Sequence, residues 1–364
     1  MAFLEIRNLT RRFKGKAVLE DLSLSVERGE TVAVFGPSGS GKTVLLRLIA
    51  GVDRPDGGEI RLDGVDLTEQ PPDRRDIGMA FQNFALYPHM SAYANIASPL
   101  RAKGASEDEI RAQVREVAAL LRIDHVLTHA PRELSNGQKQ RTALARALVQ
   151  RPGVLLLDDP LRNVDAKLRY EMRIELPRVL ARFQTTVLYV TQDYREAMAL
   201  GQRVGVLEGG SFRQIGPPET VYAEPATVDV ARLFGDPTIN LFRRRIESDG
   251  NGAWTEFLGA RIPVGAAADA GAACLVGIRP EHVQVAPAPI PDAVAVVLDA
   301  VTPLNVRTLL LLKDRDGEEI VATCPEEDAA RFPRGHRDVW ARIDPSRALV
   351  FDDRTGLRLP SGRI

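Results

Sequence analysis

The chain has 364 residues, enough for two domains or one large domain with an appendage. Its 44% hydrophobic and 27% charged residues are the proportions of a soluble globular protein, and 48 basic against 49 acidic residues leave no positive excess for coating nucleic acid. The start MAFLEIRNLTRRF lacks signal-peptide architecture and runs such as Val154–Leu157 and Leu309–Leu312 are far too short to span a bilayer, so any work at a membrane is expected from one side, through partners.

Phe3–Ile6, Val18–Val26 and Thr31–Phe35 read as short strands, with Arg28-Gly29-Glu30 as a turn. The third is apolar throughout, the pattern of a strand buried on both faces. It runs into Gly36-Pro37-Ser38-Gly39-Ser40-Gly41-Lys42-Thr43, which fits G-x-x-x-x-G-K-[ST] at every fixed position. Val44, Leu45, Leu48 and Ile49 then follow at helical spacing, so the loop joins a strand to a helix N-terminus. Glycines let such a loop turn several N–H groups inward onto phosphate oxygens, and the helix dipole adds positive potential there. Lys42 is placed to reach the β- and γ-phosphates of a nucleoside triphosphate, and the Thr43 hydroxyl to bind Mg²⁺.

Glu59–Leu62 and Ile77–Phe81 continue the β pattern. From Ala85 the character becomes helical: Ser106-Glu107-Asp108-Glu109 is a capping box, and Ile110, Val114, Val117, Ala118 and Leu121 form an apolar stripe behind it. A further helix is expected after Leu134-Ser135-Asn136-Gly137-Gln138. Val154-Leu155-Leu156-Leu157-Asp158 is a buried strand ending in acid, and Thr186–Val190 is another. Strands alternating with helices after a phosphate loop indicate an α/β domain with a largely parallel sheet. Pro177 falls inside the amphipathic stretch 166–183 and predicts a kink or break. From Arg243 only strands are expected, Trp254–Leu258, Cys274–Ile278, Ala293–Val301, Val306–Leu312, Glu319–Thr323 and Val339–Ile343, with a hairpin at Asp314–Gly317 and a small barrel as the outcome. Cys274 and Cys324 lie far apart, outside metal-like spacing, and read as free thiols in a reducing compartment.

Five stretches together resemble the ATP-binding cassette ATPases over roughly the first 240 residues: the phosphate loop, Phe81–Ser91, Leu134–Arg141, Asp158-Asp159-Pro160 and Val190-Thr191-Gln192-Asp193. Gly277–Val283 resembles part of the C-terminal barrel of importer ATPases for sugars and related solutes. The resemblance implies a P-loop ATPase domain at 1–235, with a helical subdomain at about 85–150, and a TOBE-like β-barrel at 236–364. It implies that ATP contacts Gly36, Ser38, Gly39, Ser40, Gly41, Lys42 and Thr43, that Phe13 stacks on adenine, and that Thr43, Asp158 and Gln82 hold Mg²⁺. Ser135, Gly137 and Gln138 would meet the nucleotide of the other subunit in a dimer.

Three positions depart from the family's pattern. Asn136 replaces a glycine, and asparagine tolerates positive φ. Asp159 stands where the family has the glutamate that polarises attacking water, and Gln192 where it has a histidine on the γ-phosphate. An aspartate is one carbon–carbon bond shorter, about 1.5 Å, and a glutamine carries no charge. The expected catalytic set is therefore Asp159, Gln192 and Gln82 in a degenerate site.

The function implied is the ATPase of a carbohydrate or polyol importer, glycerol-like solutes favoured. It would lie on the cytoplasmic face of the inner membrane against transmembrane permease subunits, with a second, non-identical ATPase and, indirectly, an extracytoplasmic solute-binding protein. Nucleic acid is not among the expected partners. The alternatives are a polyamine or anion importer, a soluble cassette protein of translation or DNA repair, and a non-hydrolysing ATP-binding subunit.

Overall fold

The computed structural model describes residues 2–249, 252–265, 269–332 and 337–362. Two compact units are present, Met1–Val221 and Tyr222–Ile364.

The first unit is built on a six-stranded sheet in the order Ser211–Gly216, Arg203–Glu208, Thr31–Phe35, Thr186–Thr191, Val154–Asp158, Ile77–Ala80. All pairs from Arg203–Glu208 to Ile77–Ala80 are parallel. Val154–Asp158 and Thr186–Thr191 are buried at every residue, which is why their sequences show no polar alternation. Successive side chains serve opposite faces. Val154 and Leu156 pack with Leu45, Leu48 and Ile49 of the helix Lys42–Ile49 on one side. Leu155 and Leu157 pack with Leu144, Met172, Leu176 and Leu180 on the other. A second, antiparallel sheet of Lys16–Val26, Leu4–Phe13, Gly57–Leu62 and Val65–Asp66 completes the first of these cores.

The helical region contains Ala92–Ala102, Glu107–Leu120 and Asn136–Leu148. Both halves of the capping box expected at Ser106 and Glu109 are present. Pro177 does not divide its helix, which runs unbroken from Ala166 to Phe183. Met172 and Leu176 before the proline and Leu180 after it are buried in one core. At about 2 kcal/mol for each buried side chain, that packing offsets the roughly 3 kcal/mol cost of an internal proline.

The second unit is β-rich. Its sheets are Asn240–Arg245 with Ala273–Ile278 and Leu349–Asp352, then Glu247–Ser248 with Ala253–Phe257 and Ala260–Val264, and a five-stranded sheet from Val283–Ala286 through Arg337–Ile343, Val294–Leu304 and Arg307–Lys313 to Glu319–Pro325. All three contribute to one core, including Phe242, Val276, Leu310, Ile320 and Val339. In Arg307–Lys313 burial alternates strictly, with Thr308, Leu310 and Leu312 turned inward. The hairpin expected at Asp314–Gly317 joins that strand to Glu319–Pro325, and Asp314 Oδ1 accepts from the N–H groups of Asp316 and Glu318.

Compactness divides the chain at Val221 and Tyr222, earlier than the change of pattern near residue 235. The reason is the helix Val228–Leu233, whose Val228 and Ala231 pack with Ile239, Leu349 and Phe351 of the later strands. Chains ending at Val221 and at Gly235 are both expected to unfold cooperatively by helical circular dichroism. In the longer one, residues 228–233 lose their cover and should show no amide protection in hydrogen exchange; protection there would assign the helix to the first unit.

Candidate functional site

Parallel register brings three strand ends to one edge of the sheet. Phe35 pairs with Thr191, and Asp158 pairs with Val190. The next residues along each strand are Gly36, Gln192 and Asp159, so segments far apart in sequence open onto the same place. This is the carboxyl edge at which α/β sheets bind ligands. A cavity of about 320 Å³ lies there, lined among others by Ser38, Gly39, Gly41, Lys42, Thr43, Gln82, Asp158, Asp159, Arg162 and Gln192.

The loop after Phe35 depends on two glycines. A Cβ on Gly36 would fall 2.2 Å from the Leu207 carbonyl oxygen. Gly41 has φ 102, a left-handed conformation open to glycine at little cost. No side chain caps the helix Lys42–Ile49 and no acid sits in its first turn, so its N-terminal donors are left to a ligand. Lys42 Nζ lies 2.8 Å from Gly36 O, 2.7 Å from Pro37 O and 3.3 Å from Ser40 Oγ. Burial pulls the Lys42 ammonium below its ordinary pKa, while the carboxylates of Asp159 and Asp158 act against that shift.

The Thr43 hydroxyl donates to Asp158 Oδ1 at 3.1 Å. A hydroxyl beside a carboxylate, with the Gln82 amide lining the same cavity, is a set of oxygen donors that fits a hard divalent cation such as Mg²⁺. Burial pushes the Asp158 carboxyl up, opposed by the Thr43 hydrogen bond and Lys42. Asp159 is likewise pushed up by burial, with Arg162 as the chief opposing charge. Its backbone is left-handed at φ 45, with its N–H on Val190 O at 2.8 Å. Asp159 Oδ2 is buried without a hydrogen-bond partner among the described residues.

Gln82 is anchored through its carbonyl, which accepts from Asn163 Nδ2 at 2.8 Å. Phe13 does not line this cavity; it is 42% exposed at the end of Leu4–Phe13, with the Arg11 guanidinium 4.7 Å from its ring centre. Ser135, Gly137 and Gln138 also lie outside it, at the start of the helix Asn136–Leu148. Ser135 caps that helix, and the Gln138 side chain accepts from the Ser135 N–H at 2.9 Å, so this glutamine is engaged by its own chain. Asn136 is the first helical residue and has no positive φ, so replacing a glycine there asks nothing unusual of the backbone.

Three contributors were not legible as motif positions. Arg162 enters the cavity from the turn after Asp159. Glu196 and Tyr189 sit behind it: the Tyr189 hydroxyl donates to Glu196 Oε2 at 2.7 Å, and the Thr191 hydroxyl lies 2.9 Å from the same oxygen and 3.4 Å from Asp159 Oδ1. One hydroxyl proton cannot serve both carboxylates, and the shorter contact assigns it to Glu196. The only sequence signal for Glu196 was its place on the first turn after Thr191.

Burial raises the Glu196 pKa above the ordinary glutamate value, with the hydrogen bonds from Tyr189 and Thr191 opposing. Between about pH 4.3, the unperturbed glutamate value, and that raised value, the native state binds more protons than the unfolded one. Stability contributed by this group therefore falls as pH rises through that window. Glu196→Gln is expected to shift the urea midpoint, followed by helical circular dichroism, increasingly in the variant's favour relative to wild type from pH 5 to pH 7.5; a pH-independent difference would contradict this.

The ABC transporter family matches residues 19–162, and the TOBE domain family matches residues 276–351. The sn-glycerol-3-phosphate import ATP-binding protein UgpC of Escherichia coli (strain K12) is 39% identical over 99% of this chain and 100% of that protein. The protein of the same name from Pectobacterium atrosepticum is also 39% identical, over 99% of this chain and 100% of its own length. Among solved structures, the dimeric post-hydrolysis state of the ATP-binding cassette MJ0796 bound to ADP and Pi matches with a TM-score of 0.54 at 30% identity, covering 59% of this chain and 98% of that one.

Proposed function

The chain belongs to the ABC transporter ATPases of the importer type with a C-terminal TOBE domain, and from that premise we propose that it energises uptake of a glycerol-type solute, a glycerol phosphate or related polyol. It binds ATP and couples ATP hydrolysis to import through transmembrane permease subunits. The solute is inferred from relatives matched end to end that are themselves sn-glycerol-3-phosphate import ATP-binding proteins. No helix of the described residues is long and apolar enough to cross a membrane; in this reading the subunit works peripherally, against the cytoplasmic side of its permease. An extracytoplasmic solute-binding protein would act with it only indirectly.

The observation that carries the assignment of residues is the convergence of Lys42, Thr43, Gln82, Asp158, Asp159 and Gln192 on one cavity at three strand ends. Lys42 and the loop N–H groups bind the phosphates of ATP. Thr43, Asp158 and Gln82 would hold Mg²⁺, which supplies charge neutralisation at the phosphates. Asp159, with one carboxylate oxygen unclaimed, accepts the proton of the attacking water, and Gln192 hydrogen-bonds near the terminal phosphate without adding charge. Ser135 and Gly137, outside this cavity, would meet the nucleotide of the facing subunit in a dimer. The expected non-identical second ATPase finds no support in the relatives. Two copies of this chain are the simpler assembly, and both sites then carry Asp159 and Gln192.

Lys42→Ala is expected to abolish tight ATP binding in calorimetry; unchanged affinity would remove the phosphate-loop assignment. Asp159→Asn should lower kcat by about 10²–10⁴ while ATP still binds, and the ATP-loaded variant should run as a dimer in light scattering without any other protein. Retained turnover would deny Asp159 its role, and a strictly monomeric ATP-loaded variant would restore the case for a different partner.

A further inference from the structure

Arg162 is the one residue lining the cavity with a side-chain cation whose hydrogen-bonding capacity is unspent among the described residues. Lys42, the other cation there, already has three oxygen atoms within 3.3 Å of its Nζ. The Arg162 guanidinium makes no hydrogen bond to a described residue. Its Nη1 stands 3.6 Å from Asp159 Oδ2, inside ion-pair range and beyond hydrogen-bonding distance. Asp159 Oδ2, in turn, has no donor. The two groups face each other with their directional capacity unused, at the mouth of a cavity that the Arg162 side chain meets 47% exposed.

Its backbone is fixed. The Arg162 N–H donates to Asp159 O at 3.2 Å, and the half-buried Arg169 guanidinium donates to the carbonyls of Leu161, Arg162 and Val164, each at 3.2 Å. Arg169 therefore staples the turn that presents Arg162, which lowers the entropy of placing a long side chain. Charge completes the argument. Lys42 and Arg162 balance Asp158 and Asp159 on the cavity wall; without Arg162 the wall would carry a net negative charge toward a polyanion. Gln192 cannot replace that charge.

We propose that Arg162 binds the terminal phosphate of ATP held in its own chain's cavity, through its planar donor fork, and so distinguishes triphosphate from diphosphate. A guanidinium matches phosphate oxygens two at a time. This rests on the assignment of the Lys42 cavity to the triphosphate, and the test separates the two.

The full chain is titrated calorimetrically with Mg²⁺ and either ADP or an ATP analogue with a β,γ-imido bridge, as wild type, Arg162→Gln, Arg162→Lys and Lys42→Ala. Arg162→Gln is expected to weaken the triphosphate by about tenfold or more, the size of a charge-assisted hydrogen bond. ADP should change by less than about twofold, as for an exposed ion pair, and this also verifies the fold. Arg162→Lys should recover part of the loss. An equal loss of both nucleotides, or no loss of either while Lys42→Ala abolishes binding, overturns the role of Arg162 and leaves the cavity assignment standing. Wild-type affinity in Lys42→Ala overturns both.

Discussion

The parallel pairing of Thr31–Phe35 with Thr186–Thr191, and of Thr186–Thr191 with Val154–Asp158, is the constraint on which the site depends. A parallel pair fixes not only which strands are neighbours but where they end. Register sets Phe35 against Thr191 and Asp158 against Val190, so the phosphate loop, the paired acids and Gln192 emerge within one cavity. A strand slipped by one residue would also exchange its two faces, sending Leu155 and Leu157 into the core that takes Val154 and Leu156. Cores packed against both faces hold the register, and through it the site.

The cavity they create sets burial against charge. Lys42 is drawn down and Asp158 and Asp159 are pushed up by the same loss of water, and each opposes the shift of the other sign. Four charged side chains share a space of about 320 Å³, a balance that a bound anion with its cation would redistribute. Behind them, Glu196 is held by Tyr189 and Thr191, with Arg173 Nη2 3.9 Å and Arg169 Nε 4.0 Å away. Arg169 serves twice, near Glu196 and as the staple of the turn carrying Arg162. The acid-bearing turn is thus braced from beneath the sheet edge by the same helix that survives Pro177.

The second unit is stabilised differently. Its longer strands, such as Arg307–Lys313, bury one face only, and two of its buried polar side chains are held by several hydrogen bonds each. Asn240, 8% exposed, donates to the carbonyls of Ile278 and Val321 and accepts from the Val321 N–H, tying two sheets of that unit together. Arg279 donates to Phe234 O and Tyr222 O and lies 3.6 Å above the Tyr222 ring. Arg279 belongs to the stretch that first suggested the importer tail, and these three contacts are internal to this unit.

By itself the sequence determined the local elements and the chemistry they carry. Apolar runs without alternation specify strands covered on both faces; Ser106 with Glu109 specifies a helix start; G-x-x-x-x-G-K-[ST] between strand and helix specifies a phosphate loop. These depend on neighbours within about ten residues, which a single sequence displays. The tertiary structure alone decided what those elements meet. It kept Gln138 on its own helix cap, left Phe13 outside the cavity under Arg11, assigned the helix Val228–Leu233 to the later strands, and brought in Arg162, Tyr189 and Glu196. None of these has a local signature, because each depends on strand register and on cores assembled from residues far apart in the chain. Packing on both sides of a proline, or a charge facing a cavity wall, exists only after the sheet has closed its two faces.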